Sequence, residues 1–159
     1  MDRDFVLQLK RSFDVGFIEK EVEAFNHKWK LRTLTDKEAV IRDKFVPLSA
    51  DTTLISARKS ATLSLAIKEI DNRPVEDIFG GDIKETSSED NIFGDNPFEN
   101  RIFQLAKRVK EFLDDLPSFV VDELFNLYSL LEMEARGTIS GLIKEEEEED
   151  KKFRGGTVE

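Results

Sequence analysis

The residues of this chain that are suited to chemistry are few, and their spacing assembles no reaction. His27 is the only histidine. It has no second imidazole, thiolate or carboxylate nearby at ligand spacing, so it is expected to sit exposed at a hairpin tip rather than bind a metal or act as a base. Gly80-Gly81 lacks the Gly-x-x-x-x-Gly-Lys spacing of a phosphate loop, and no strand precedes it. Asp82, Asp90 and Asp95 miss the calcium-loop pattern, which needs its turn glycine and terminal glutamate. Asp114-Asp115 has the charge to attract a hard cation, but at a helix end solvated carboxylates are the simpler reading. There is no cysteine, hence no disulfide scaffold and no thiolate nucleophile. The expectation is a protein without catalysis, cofactor or metal.

One polar constellation has a definite physical meaning. Thr35-Asp36-Lys37-Glu38 is a capping box: the Thr35 hydroxyl and the Glu38 carboxylate each satisfy a backbone N–H that the first helical turn leaves without a partner. It opens a helix carrying Ala39, Val40, Ile41, Phe45 and Val46, which Pro47 ends. Its reading is structural.

The elements around it follow from apolar periodicity. Ile102, Leu105, Ala106, Val109, Phe112, Leu113 and Leu116 recur on one face of a 3.6-residue helix that Asn96, Pro97 and Glu99 start and Pro117 stops. Ser118 then caps a second helix with Phe119, Val120, Val121, Leu124, Phe125, Leu127, Tyr128, Leu130 and Leu131, and Gly137 is a candidate end. The short link predicts that these two helices pack antiparallel. The second stripe is wider than one neighbour can cover. Ser49–Ile70 is a further helix with small residues, Ala57 and Ala61, along its middle; its basic Arg58, Lys59 and Lys68 are expected to be solvated. Glu21–Phe25 and Trp29–Leu34 alternate in polarity, which predicts a β-hairpin around Asn26-His27-Lys28 with Trp29, Leu31 and Thr33 on one face. Residues 3–13 carry Phe5, Val6, Leu9 and Phe13 at helical spacing. They are expected to pack on the domain, with a docking arm as the alternative.

The fold class is thus mainly α (α+β): about four to five helices, a small N-terminal β-hairpin, a C-terminal antiparallel helix pair and an acidic flexible tail. The organisation expected is an N-terminal helix or arm over 1–14, one mainly helical domain over 15–136 and a charged flexible tail over 137–159. Within the domain, 80–96 is acidic, without periodicity and long for a loop in a compact domain. Two similar pieces, Asp77-Ile78-Phe79-Gly80 and Asn91-Ile92-Phe93-Gly94, place Ile-Phe-Gly in acidic surroundings, so Phe79 and Phe93 are candidate anchors for a partner.

Charge narrows the partner class. The net charge of −10 argues against a nucleic-acid backbone as main partner and suits a basic protein. No signal peptide and no span approaching 20 apolar residues is seen, so no membrane is expected. Thirteen phenylalanines against one Trp and one Tyr supply apolar area without a polar handle.

The order of parts resembles a known group. The entry Trp29-Lys30-Leu31-Arg32-Thr33-Leu34 into Thr35-x-x-Glu38, the turn Ile70-Asp71-Asn72-Arg73-Pro74-Val75, and the helix Leu116-Pro117-Ser118 to Tyr128 together resemble tailed-bacteriophage proteins of the tail-assembly-chaperone and T4-type baseplate-assembly group. The likeness covers roughly residues 22–135; the acidic loop and the tail are not part of it. It implies a non-catalytic assembly chaperone that binds a tape-measure or hub component. Such a protein would work in the cytoplasm of the infected bacterial host. The alternatives are a structural tail or baseplate subunit retained in the virion, or an acidic regulator that mimics nucleic acid. The residues expected to meet the partner are Phe119, Leu127, Tyr128 and Leu131 on the outer part of the last helix, with Phe79 and Phe93; an oligomer is compatible with these surfaces.

Overall fold

A computed structural model describes residues 1–13, 17–46, 53–81, 83 and 97–155, with side chains for 1–11, 17–46, 55–81, 83 and 98–138. These form six helices and a four-stranded antiparallel sheet, so the chain is mainly helical with a small sheet, as its periodicity predicts. No helix among the described residues is long and apolar enough to cross a membrane.

Helix α1 (Arg3–Phe13) starts where Asp2 Oδ1 accepts the Phe5 N–H at 3.2 Å. It leaves Phe5, Leu7 and Leu9 exposed, unlike a helix seated on the domain. The hairpin follows. β1 (Glu19–Ala24) pairs with β2 (His27–Arg32), with Val22 opposite Trp29. Its turn is Phe25-Asn26, both at positive φ (55° and 62°), as a type I′ connection requires. The expected connection Asn26-His27-Lys28 is therefore corrected: right-handed strand twist favours the two-residue turn, and His27 and Lys28 belong to β2. Trp29, Leu31 and Thr33 are buried, on the one face that alternation predicts. The Trp29 indole N–H finds the Ala24 carbonyl at 3.0 Å.

The capping box opens α2 (Asp36–Lys44) with both reciprocal bonds present. Helix α3 (Thr53–Ala66) comes next and runs without a loop into β3 (Ile67–Ile70). Ile67 to Ile70, read from periodicity as the end of a long helix, are thus a strand. Leu31 and Trp29 on β2 offer an open ladder edge, and pairing there wins over local helix preference. A second turn with two left-handed residues, Asp71 (φ 51°) and Asn72 (φ 64°), leads to β4 (Arg73–Pro74). The sheet order is β1-β2-β3-β4. A short helix α4 (Val75–Phe79) precedes the two long helices α5 (Pro97–Asp114) and α6 (Ser118–Gly155).

The core sits around α3. Every residue from Ser60 to Ile67 is buried, so this segment has no solvent face. Its small side chains let backbones approach closely, and α2, α5 and α6 all pack on it. Both α5 and α6 pack on α3, and their buried residues Val109, Leu113, Val121 and Leu124 share one apolar cluster. The buried hydroxyls Ser60 and Ser64 are satisfied by the carbonyls of Ala57 and Ala61 on the preceding turn. Leu31, Leu63, Val109, Leu113 and Leu124 form the centre of the main apolar cluster. A second cluster gathers Ile41, Leu65, Phe103 and Ala106, with Phe45 stacked on Phe103 at 4.7 Å.

The last helix does not stop at Gly137. Its backbone stays helical to Gly155. A Cβ at Gly137 would meet nothing within 4 Å, and no left-handed φ marks a cap there. One glycine in a helix costs about 1 kcal/mol relative to alanine, which the good helix formers on either side outweigh. The tail over 137–155 is therefore continuous helical backbone with α6.

Candidate functional site: an apolar strip and a cavity with a charged floor

Two surfaces stand out. The first lies along α6 beside the hairpin. Phe119, Leu130 and Met133 are 64%, 62% and 67% exposed, and their spacing puts them on one helix face with Leu127 at its edge. Phe25 extends the strip: its ring lies 5.9 Å from that of Phe119. Between α6 and the first two strands is a hollow of about 90 Å³, lined by Val22, Leu31, Leu127, Leu130 and Leu131, with Lys20 and Glu134 at its rim 3.6 Å apart. Exposed Glu123 and Asn126 lie on the same face between Phe119 and Leu130, which are roughly 16 Å apart along the helix, and Asp122 is paired with Lys59 at 2.9 Å.

Phe25 has a local cost. A bulky residue at φ 55° occupies a region that glycine and asparagine take more easily. The fold gains little in return, because the ring is 43% exposed. A local rule broken without a folding gain is a mark of a job outside the fold.

The candidate residues separate on this geometry. Phe119 and Leu127 lie on the strip. Leu131 is buried, yet it lines the hollow under the strip. Tyr128 is not on the outer face as expected: it is 4% exposed in the main core. Burial pushes its hydroxyl pKa up, nearby Glu132 adds to this, and a backbone hydrogen bond with Leu34 opposes it. The reason for the correction is helical phase: Tyr128 and Leu131 share the inward face with Leu124 and Ala135. Phe79 is half-buried against the core, its ring 5.3 Å from Phe112, and its carbonyl accepts Arg108 at 2.7 Å. It is a structural plug rather than a free anchor. Phe93 lies outside the described residues. Phe25, Leu130 and Met133 were not singled out by sequence; helical phase points to Met133, and nothing local points to Phe25.

The second surface is a cavity of about 500 Å³ between α2, α3, α4 and α5. Ile41, Leu65, Val75, Ile102, Leu105 and Ala106 give it apolar walls, and Phe98, 69% exposed, stands at its mouth. Glu38, Arg32 and Lys68 form the charged part of the lining. The Glu38 side chain is only 8% exposed and is the hub of this cluster. Its Oε1 accepts from Arg32 Nη2 at 2.8 Å and from the Thr35 backbone N–H at 3.1 Å, and its Oε2 accepts from Lys68 Nζ at 2.8 Å. Burial pushes the Glu38 carboxyl pKa up. Lys68, the Thr35 N–H and Arg32 outweigh that and hold it below its ordinary value. Burial pushes the Lys68 ammonium pKa down, only partly offset by Glu38. So Glu38 is more than a cap, and Lys68 is an ion-pair partner across two elements rather than a solvated surface charge. Periodicity could not find this cluster, because it needs β2, α2 and β3 side by side.

A further titratable feature lies at the two hairpin tips. His27 Nδ1 lies 2.6 Å from Asp71 Oδ2, and the Lys28 N–H donates to Asp71 Oδ1 at 2.9 Å. Those bonds, the backbone one first, lower the Asp71 pKa. His27 is exposed, as expected, and ties the two turns together. Among the described residues no three His, Cys, Asp or Glu side chains are grouped to hold a metal ion. Compared with protein-family models, with curated proteins and with solved structures, the chain matches none.

Proposed function

We propose that this chain is a non-catalytic binding protein that covers an amphipathic helix of a partner. In the reading its sequence resemblance supplies, it is an assembly chaperone for a tail or baseplate component of a tailed bacteriophage. The observation that carries the binding role is the pair of exposed side chains Leu130 and Met133 beside the hollow, with the Phe25–Phe119 ring pair further along the same face of α6. An apolar stripe with a pit suits the i, i+3, i+4, i+7 anchors of a client helix. The net charge of −10 favours a client with basic flanks and steers its approach.

The test is co-expression with the candidate tape-measure and hub proteins, comparing the unaltered chain with Met133→Glu and Leu130→Glu. The unaltered chain keeps one of these proteins soluble and co-purifies with it; both variants stay folded and lose it. If no tail protein gains solubility, or if the variants work as well as the unaltered chain, this reading fails.

A second reading has its own support. The exposed Phe5, Leu7 and Leu9 of α1 suit permanent contacts in an assembled particle. Mass spectrometry of purified particles decides: a retained subunit is present at stoichiometric level, a chaperone is absent.

A further inference from the structure

The sheet ends in an open edge. β1 is an outermost strand, paired on one side with β2 and, among the described residues, with no strand on the other. The two-residue turn makes Ala24 and His27 a hydrogen-bonded pair, so the alternate residues Glu19, Glu21 and Glu23 turn their backbone N–H and C=O groups away from β2. Two contacts agree with this phase. Lys28, opposite Glu23, donates its N–H to the Asp71 carboxylate and accepts the Asp71 N–H, while Thr33 donates its N–H to the Ile18 carbonyl. The six residues of β1 include no proline and pair with β2 without a register shift, which leaves an unbroken template.

The same face of the sheet is striped by charge. Glu19, Glu21 and Glu23 lie opposite Arg32, Lys30 and Lys28 of β2, and Lys30 lies opposite Glu69 of β3. The short ion pairs of β2 point away from β1: Lys30 reaches Glu69 at 2.9 Å and Arg32 reaches Glu38 at 2.8 Å. Towards β1 the contacts are long, 3.8 Å from Lys30 to Glu19 and 3.9 Å from Lys28 to Glu21. The carboxylates of Glu19 and Glu21 are accordingly loosely held, with side chains 48% and 46% exposed, and Glu23 is exposed as well. The outward backbone groups and this column of carboxylates belong to the same three residues.

We propose that the open edge of β1 takes up an extended segment of a partner protein as an added antiparallel strand, with Lys or Arg at alternate positions opposite Glu19, Glu21 and Glu23. Backbone hydrogen bonds supply the adhesion and the carboxylate column supplies the selection. A second copy of this chain does not fit through its own β1, because antiparallel pairing of two such edges sets glutamate against glutamate. A basic strand instead continues the alternation of sign that runs from β3 through β2 to β1. Its intervening side chains fall on the other face, beside Val22 and beside Lys20, which Glu134 faces at 3.6 Å. Valine or threonine suits those positions. The added strand needs no residue of α6 for its backbone bonds, so this proposal stands apart from the client role of the α6 face. Charges on an edge strand also blunt it against chance pairing; if protection is their whole role, no strand adds.

The probe is the peptide Lys-Val-Lys-Val-Lys, acetylated and amidated at its ends, titrated into the full chain at low salt and followed by nitrogen–proton NMR and hydrogen exchange. It shifts and protects the amides of Glu19, Glu21 and Glu23, while those of Lys20 and Val22, already directed at β2, change little. Lys-Lys-Lys-Val-Val, of equal charge without the alternation, binds about tenfold more weakly, and Glu-Val-Glu-Val-Glu does not bind. Glu21→Gln together with Glu23→Gln leaves the fluorescence of buried Trp29 unchanged and weakens the probe severalfold. N-methylation of the probe at its lysines, whose N–H groups face β1 in an antiparallel addition, abolishes binding; N-methylation at its valines does not. The proposal is overturned if the probe does not bind at millimolar concentration, if Lys-Lys-Lys-Val-Val binds as well, if the amides show no alternation, or if both N-methylated peptides bind like the parent.

Discussion

Glu38 is the residue whose removal discriminates best between a surface cap and a buried hub. As a cap alone, Glu38→Ala would cost about 1 kcal/mol or less. As a hub it leaves two cations without their partner. Breaking a buried pair costs about 3–5 kcal/mol. That figure must be discounted here, because the side chains of Arg32 and Lys68 are 36% and 27% exposed and can take up water. About 2 kcal/mol for the lost pairing plus about 1 kcal/mol for the cap gives roughly 3 kcal/mol in all. For a chain of this size each kcal/mol moves Tm by about 2–4 °C, so Glu38→Ala should melt about 6–12 °C lower. Glu38→Gln keeps the cap and should lose about 2 kcal/mol. Urea unfolding followed by the fluorescence of Trp29, the single and buried tryptophan, measures both. The pH dependence adds a second check. The folded Glu38 pKa lies below its ordinary value of 4.5. The unfolded chain therefore takes up the proton first as pH falls. The stabilisation is complete above the ordinary value and is lost as pH drops from there through the lowered folded value. Glu38→Gln should lack that acid step. If both variants unfold within about 0.5 kcal/mol of the unaltered chain, which is the range of ordinary surface changes, the hub description is wrong.

Three further outcomes follow from the fold. Replacing the turn by Phe25→Asn with Asn26→Gly should stabilise the protein by about 1 kcal/mol, by relieving left-handed strain, while weakening client retention in the co-purification assay. A gain in stability without loss of client would remove Phe25 from the binding strip. Ala61→Leu forces a larger side chain between α3 and its neighbours and should cost about 3 kcal/mol in urea unfolding; a neutral result would mean that the helices around α3 are not closely packed. Gly137→Ala should raise stability by up to about 1 kcal/mol if the α6 backbone is helical there, and a destabilised variant would restore Gly137 as a helix end.

Legibility varied with the range of the interactions involved. Elements held by local patterns were readable: the Thr35–Glu38 box, the alternation of Trp29, Leu31 and Thr33, and the stripe of α5 are each set by neighbours a few residues apart. What depended on distant partners was not. Ile67–Ile70 reads as helix until β2 offers its edge, and Phe25-Asn26 reads as strand and loop until the twist of the hairpin selects a two-residue turn. Of the four α6 residues expected on the outer face, two are turned inward, because a wide apolar stripe does not say which side meets α3. Tyr128 and Leu131 went to that side; Leu130 and Met133, less conspicuous in the sequence, stayed outside. The charged cluster was hidden for another reason. Arg32, Glu38 and Lys68 come from three elements, and only the assembled fold brings Arg32 and Lys68 each within 3 Å of Glu38.

The direct passage from α3 into β3 has a consequence for how the molecule opens. With no loop between Ala66 and Ile67, the buried helix and the middle of the sheet form one rod. Trp29 pairs with Ile70 across about forty residues of chain, and closing such a loop costs entropy that local pairing cannot repay. The sheet should therefore be kinetically slaved to the helix. Amide protons of Leu31, Leu63 and Ile67 are expected to exchange together, at the rate of global unfolding, while those of α1 exchange early. Strain applied at the hairpin would be transmitted along that rod to the neighbours of α3 rather than absorbed at a hinge, making the small sheet a lever on the helices.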